Sequence, residues 1–268
     1  MNVGKNNMAK FFVVSDIHGY FDTFLSSLKK AGWDSENPNH YIISCGDNWD
    51  RGNKNTDVFH FLNLSPRTIL IKGNHESLFE ECCNRGYPQN HDISNGTYDT
   101  IMELGDPLHQ DKPFNESSIY AMNRVEPFLK KMVDYFETEK YIFVHGYIPV
   151  ITEDLPVYYT RNRTYQKDYL WRNSHYVDWE QARWLNGIDM AMKYKILEDN
   201  KTIVFGHWHC SYAHSLAENT PEFGEGSNFD PYYGDGFIAI DGCTAYSGQV
   251  NVIVLEDNFI TKDGVNNE

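Results

Sequence analysis

The sequence is short of positive charge: 23 Lys and Arg stand against 38 Asp and Glu, for a net charge of −15. Proteins that track nucleic-acid phosphates are usually basic, so no duplex-binding surface is expected. Cysteine is scarce and unpatterned. Its five copies are an odd number without zinc-ligand spacing, and Cys82 and Cys83 are adjacent and awkward to bridge. This speaks against a disulfide framework or a cysteine zinc site and for reduced thiols in a cytoplasmic protein. Long apolar runs are missing too. The N-terminus MNVGKNNMAK is polar and only a short apolar run follows it, so neither a signal peptide nor a membrane span is expected.

What the chain does have is seven short apolar runs ending beside polar or glycine residues. FFVVSDIH carries Asp16 and His18, YIISCGD carries Asp47, and TILIKGNHE carries Asn74 and His75. YIFVHG supplies His145, and TIVFGHWH supplies His207 and His209. FIAIDG and VNVIVLED complete the set without an obvious ligand. Runs of this length, rich in Val, Ile and Phe, read as buried strands. An α/β sheet gathers the residues just past its strand ends at one edge, where ligands bind. Five distant segments thereby converge on one place, and one such residue alone would be ordinary turn chemistry. His, Asp and Asn together, with no Cys among them, suit Mn, Fe or Zn in a mixed nitrogen and oxygen site.

A chain of 268 residues suits one large domain, 1–268, with insertions near 76–138 and 148–200. The first part reads βαβαβ, with Asp22 as a helix cap before Phe24, Leu25 and Leu28, and a second helix over Thr56 to Leu64. Residues 76–138 read as mostly helical, broken by Pro107, Pro113 and Pro127. Residues 148–200 begin irregular and aromatic and finish in a helix from Trp179 to Leu197, whereas 217–236 reads as a loop.

The motifs Ser15-Asp16-Ile17-His18-Gly19, Gly46-Asp47-Asn48-Trp49-Asp50-Arg51-Gly52, Gly73-Asn74-His75-Glu76, His145-Gly146 and Gly206-His207-Trp208-His209 occur in that order. In this the chain resembles the calcineurin-like metallophosphoesterases, and within them the phosphoprotein-phosphatase branch of bacterial and phage serine/threonine phosphatases. The resemblance implies a sandwich of two mixed β-sheets flanked by helices, with a dinuclear metal site at the strand ends. It implies one metal on Asp16, His18, Asp47 and His209, and a second on Asp47, Asn74, His145 and His207, with Asp47 as the bridge. His75 resembles the family's general acid, Asp50 the carboxylate that orients it, and Arg51 a phosphate-binding arginine. A second phosphate arginine is expected after a Leu-Trp pair. LWRN offers Arg172 one place early, and Arg161 or Arg163 are alternatives. His-x-His at 207 and 209 departs from the phosphatase branch and matches the phosphodiesterase branches.

Phosphoester hydrolysis needs neutralised phosphoryl oxygens and a hydroxide available at neutral pH, which two metals roughly 3.5–4 Å apart supply. The expected activity is therefore metal-dependent phosphomonoester hydrolysis, on phosphoserine or phosphothreonine, with Mn as the first choice of metal. The alternative is a dinucleoside polyphosphate (diadenosine tetraphosphate) hydrolase or a phosphodiesterase, for which Tyr158, Tyr159, Tyr165, Tyr169 and Trp171 offer a base-stacking platform. The same aromatics fit a packed lobe core at least as well.

Overall fold

A computed structural model describes residues 8–105, 112–155 and 162–260. All seven apolar runs are strands. The strands are β1 (Ala9–Val14), β2 (His40–Ser44), β3 (Thr68–Leu70), β4 (Phe136–Glu137), β5 (Tyr141–Phe143), β6 (Val150–Leu155), β7 (Asn162–Lys167), β8 (Thr202–Phe205), β9 (Tyr232–Gly234), β10 (Phe237–Ala239) and β11 (Val252–Asp257). They form a four-stranded sheet in the order β11-β1-β2-β3 and a five-stranded sheet in the order β4-β5-β8-β10-β9, while β6 and β7 pair as a hairpin. β1, β2 and β3 run parallel, as do β5, β8 and β10, and the antiparallel strands β11, β4 and β9 lie at the edges. This is the two-sheet α/β sandwich that the sequence leads one to expect.

The layers follow from the alternation of side chains along each strand. On β1, Phe11 and Val13 enter the cluster between the sheets with Ile43, Phe143, Val204, Ile238 and Ile253. Phe12 and Val14 face the opposite way, into a helical layer. That layer comprises α1 (Phe21–Lys30), α2 (Asn55–Leu64), α3 (Asn74–Arg85), α4 (Asn90–Asn95), α5 (Thr97–Leu104) and α6 (Phe114–Leu129). The outer face of the second sheet packs on α7 (Tyr176–Ala182) and α8 (Cys210–Glu218) around Trp171, Trp179 and Phe205, and α9 (Thr244–Ser247) follows β10. No described helix is long and apolar enough to cross a membrane.

Several local expectations are revised. Tyr20, not Asp22, precedes α1, and Asp22 lies in its first turn, paired with Lys54 at 2.6 Å. Pro113 does mark a helix start, but Pro127 sits inside α6. Its lost ladder bond falls near the C-terminal end, where buried Val125, Phe128 and Leu129 hold the turn in place. The helix expected from Trp179 to Leu197 stops at Ala182 and is followed by a short π-helical turn, Asp189–Lys193. Asn186 interrupts it by accepting the N–H groups of Ile188 and Asp189 at 3.0 and 3.1 Å. The start of 148–200 is the β6–β7 hairpin, and the 217–236 stretch contains β9. Pro107, Tyr158, Tyr159 and Arg161 lie outside the described residues.

Candidate metal centre

The loops leaving β1, β2, β3, β5 and β8 meet between the C-terminal ends of the two sheets, and their backbone there is unusual. Ten described non-glycine residues have positive φ, and six of them are Asp16, His18, Asp47, Asp50, Arg51 and His207. Such conformations are costly and persist where surrounding contacts enforce them, typically at functional sites. Close approach demands glycine nearby: a Cβ on Gly206 would lie 1.9 Å from Ser15 Oγ and 2.3 Å from Asp16 Oδ2, and one on Gly73 would lie 2.2 Å from Asp47 Oδ1.

Asp47 is the hub. Its Oδ2 is 3.8 Å from both His18 Nε2 and His75 Nε2, and its Oδ1 is 3.4 Å from His145 Nε2. Asp16 Oδ1 also lies 3.8 Å from His18 Nε2, while Asp16 Oδ2 accepts the Ser15 hydroxyl at 2.5 Å and the His207 N–H at 2.9 Å. Two sets of ligand atoms, on His18, Asp47 and His75 and on Asp47, His145 and His207, each fall within 4.8 Å of one another. Atoms each about 2.0–2.2 Å from one ion stand roughly 3–4 Å apart, so these spacings suit shared cations.

Imidazole hydrogen bonding makes the same point. His18 Nδ1 lies 2.9 Å from the Trp49 carbonyl and His145 Nδ1 2.8 Å from the Cys45 carbonyl, and His207 bonds the backbone of Trp184. A carbonyl only accepts, so Nδ1 of His18 and of His145 must carry the proton. Burial, with His75 next, lowers the His18 pKa well below the ordinary imidazole value, and burial with His145 does the same for His207. A neutral His18 therefore turns a bare nitrogen toward Asp16 and Asp47. His145 Nε2 lies 2.7 Å from Asn74 Oδ1 and 3.4 Å from Asp47 Oδ1. Imidazole nitrogens and acceptor oxygens that converge in this way are what a cation resolves, and a backbone carbonyl on the other ring nitrogen is the usual second layer behind a metal-ligating histidine.

Beside this hub, His75 Nδ1 contacts Asp50 Oδ2 at 2.6 Å, and an Arg51 guanidinium nitrogen lies 3.3 Å from His75 Nε2. Burial opposes charge on His75, but Asp47 and the bond to Asp50 outweigh it and raise the pKa to about 9. Asp47 is itself raised to about 6, chiefly by burial and against the pull of His145 and His75.

Asp16, His18, Asp47, Asn74, His145 and His207 are thus brought together, with His75, Asp50 and Arg51 alongside. Two expected members are not. His209 turns outward, with Nδ1 2.9 Å from Ser211 Oγ and Nε2 3.3 Å from Glu222 Oε1. Its backbone caps α8, which directs the side chain toward the 219–231 loop, where Phe223 also packs against it. Arg172 lies on the far side of the second sheet, bound to Glu137 at 2.5 Å and Glu198 at 3.3 Å and stacked on Trp171, so two carboxylates already hold its fork. Arg163 lines a cavity of about 540 Å³ with Tyr165, Gln181 and Trp184. Trp184 meets the His207 ring edge-on at 5.9 Å.

Other residues build the site without having been singled out from sequence. Glu76, fully buried, accepts the N–H groups of Asp47 at 3.0 Å, Asn48 at 2.9 Å and Gly73 at 2.9 Å, plus the Asn48 amide at 2.9 Å. Its place three residues into α3 is the legible signal, since a glutamate there reaches back to the cap. Thr97 and Thr100 on α5 donate hydroxyls to Asp50 at 2.7 and 2.6 Å, and no sequence signal joins them to it.

Comparison with known proteins agrees. Serine/threonine-protein phosphatase 2 of Salmonella typhimurium is 37% identical over 67 residues, 25% of this chain and 29% of that protein. Serine/threonine-protein phosphatase 2 of Escherichia coli is 33% identical over 84 residues, 31% of this chain and 37% of its own. The matched stretches therefore span well under half the length of these relatives. A cold-active protein-tyrosine phosphatase from a psychrophilic Shewanella species shares the fold, with a TM-score of 0.53 over 94% of this chain and 76% of its own at 15% identity. The family model for calcineurin-like phosphoesterases matches residues 9–211. The chain therefore belongs to the calcineurin-like phosphoesterase family, hydrolytic enzymes that work with a dinuclear divalent metal site.

Proposed function

We propose that this enzyme is a phosphomonoesterase acting on phosphoserine or phosphothreonine in proteins, with Mn as its metal. The observation that carries the reading is the His75–Asp50–Arg51 group set against the Asp47 hub. Asp16, His18 and Asp47 would hold one cation, and Asp47, Asn74, His145 and His207 the other. Bound there, two divalent ions supply charge neutralisation for the phosphoryl oxygens and an activated water.

The protein's own groups do the rest. Arg51 presents a planar fork suited to two phosphoryl oxygens. His75, held at Nδ1 by Asp50, would act as the general acid and deliver an Nε2 proton to the leaving oxygen. Arg163, across the His207 side, is the better candidate for a second phosphate contact than Arg172.

The diester and dinucleotide reading drew on His209 and the aromatic lobe. His209 stands apart from the centre, and Trp171 is buried against Tyr135 and Trp179 as packing. Five free thiols, four of them buried, fit a cytoplasmic setting. A panel of phosphoserine peptide, diadenosine tetraphosphate and a phosphodiester, assayed with Mn, tests the assignment. The phosphopeptide is expected to give the highest kcat/KM, and a higher value for either other substrate would reverse it.

Asp47→Asn tests the shared carboxylate. The variant is expected to lose Mn affinity at both sites by more than the roughly 10–100-fold typical of losing an outer-shell partner. Two tight sites retained in a calorimetric titration would show that Asp47 is not the bridge.

A further inference from the structure

One side chain belongs both to the metal centre and to the cavity of about 540 Å³ beside it. The Trp184 ring meets the His207 ring edge-on at 5.9 Å, and the same residue lines the cavity. It is 53% exposed, so a large aromatic surface stands open to water next to the reacting end of the site. The hairpin supplies a second wall. Val150 and Thr152 are alternate residues of β6, and Tyr165 on β7 is in register with Thr152, so one face of the hairpin lines the cavity. Its volume lies within the roughly 300–1,000 Å³ of ligand pockets and exceeds what a phosphate alone would need. Arg163 and Asp178 bring one charge of each sign to its lining, which favours neither an acidic nor a basic side chain. Trp184, Tyr165 and Val150 favour an apolar one.

We propose that this cavity is the subsite for an aromatic or large aliphatic side chain close to the phosphorylated residue, with Trp184 as its specificity-determining wall. Successive residues of an extended peptide are about 3.3 Å apart. Trp184, 5.9 Å from His207, is therefore within reach of a side chain one to three places from the phosphoserine. This rests on the reading of the enzyme as a phosphoprotein phosphatase.

Phosphoserine peptides with glycine flanks, each carrying a single Phe, Lys or Asp one to three places to either side, test it with the Mn-loaded enzyme. The wild type is expected to favour Phe over Gly at one position by about 10-fold in kcat/KM, through KM and not kcat. Lys and Asp there are expected to gain less. Trp184→Ala is expected to abolish the Phe preference, and Tyr165→Ala, which removes a ring packed on Tyr194, to reduce it. The preference compares two substrates on one variant, so a loss of folded or metal-loaded enzyme cancels from it. Should Trp184→Ala fail to fold, Tyr165→Ala decides alone. Phosphopeptides hydrolysed with no Phe preference at any position would overturn the assignment. So would a stronger preference for Lys or Asp, or a Phe preference that survives in Trp184→Ala. If every phosphopeptide were a poorer substrate than diadenosine tetraphosphate or the phosphodiester, the phosphatase reading itself would fall, and this inference with it.

Discussion

His75→Asn is expected to lower turnover of a phosphoserine peptide by roughly 10²–10⁴-fold, with a clearly smaller loss on nitrophenyl phosphate. The asymmetry follows from the leaving groups. A serine alkoxide is a poor one and needs a proton as it departs, whereas nitrophenolate leaves readily without help. On the proposed reading Asp50 orients the ring: it holds Nδ1 at 2.6 Å, and Thr97 and Thr100 in turn hold Asp50. Nε2 faces the Asp47 hub, and in the metal-free protein Asp47 and the bond to Asp50 raise the ring's pKa to about 9. Metal stoichiometry measured alongside turnover separates the alternatives. A ligand role would lower metal content and harm both substrates alike. A structural role would lower thermal stability with near-normal turnover per folded molecule. Equal losses on both substrates, with metals retained, would count against general-acid catalysis by His75.

Glu76→Ala is expected to destabilise the metal-stripped protein by about 3–5 kcal/mol, among the largest effects available outside the apolar core. A fully buried carboxylate here accepts four N–H donors at 2.9–3.0 Å from two separate loops. Removing it leaves those donors buried and unpaired, at about 1–3 kcal/mol for each one that water cannot reach. Because two of them are the backbone N–H groups of Asp47 and Gly73, Mn affinity is expected to fall as well. Urea denaturation in chelator and calorimetry with Mn check both halves. A change in stability below about 1 kcal/mol, with Mn affinity intact, would show that the loops hold their shape without Glu76.

Much of the fold could be read along the chain. The seven apolar runs are the strands of the two main sheets apart from the short edge strands β4 and β9. Six of them are parallel strands, which advertise themselves when buried as continuous Val, Ile and Phe runs, while β11 is an antiparallel edge strand. Burial acts on every residue of such a run, between the sheets on one face and under the helices on the other, so composition alone reveals it. Asp16, His18, Asp47, Asn74, His145 and His207 were legible for a related reason: topology carries the residue after a parallel strand to the same sheet edge, whatever the side chain.

The tertiary structure decided which partner each polar side chain finds. His207 and His209 are two residues apart in one motif, yet one bonds the Trp184 backbone in the centre and the other faces Ser211 and Glu222. Arg172 follows the expected Leu-Trp pair, but Glu137 and Glu198, 35 and 26 residues away, capture its guanidinium. Thr97 and Thr100 reach Asp50 only because α5 packs beside the β2 loop. Strand formation depends on a local pattern repeated over several residues, so the sequence by itself determined it. A hydrogen bond or ion pair is a single contact between distant points, and only the folded chain sets which of the competing donors and acceptors come within reach.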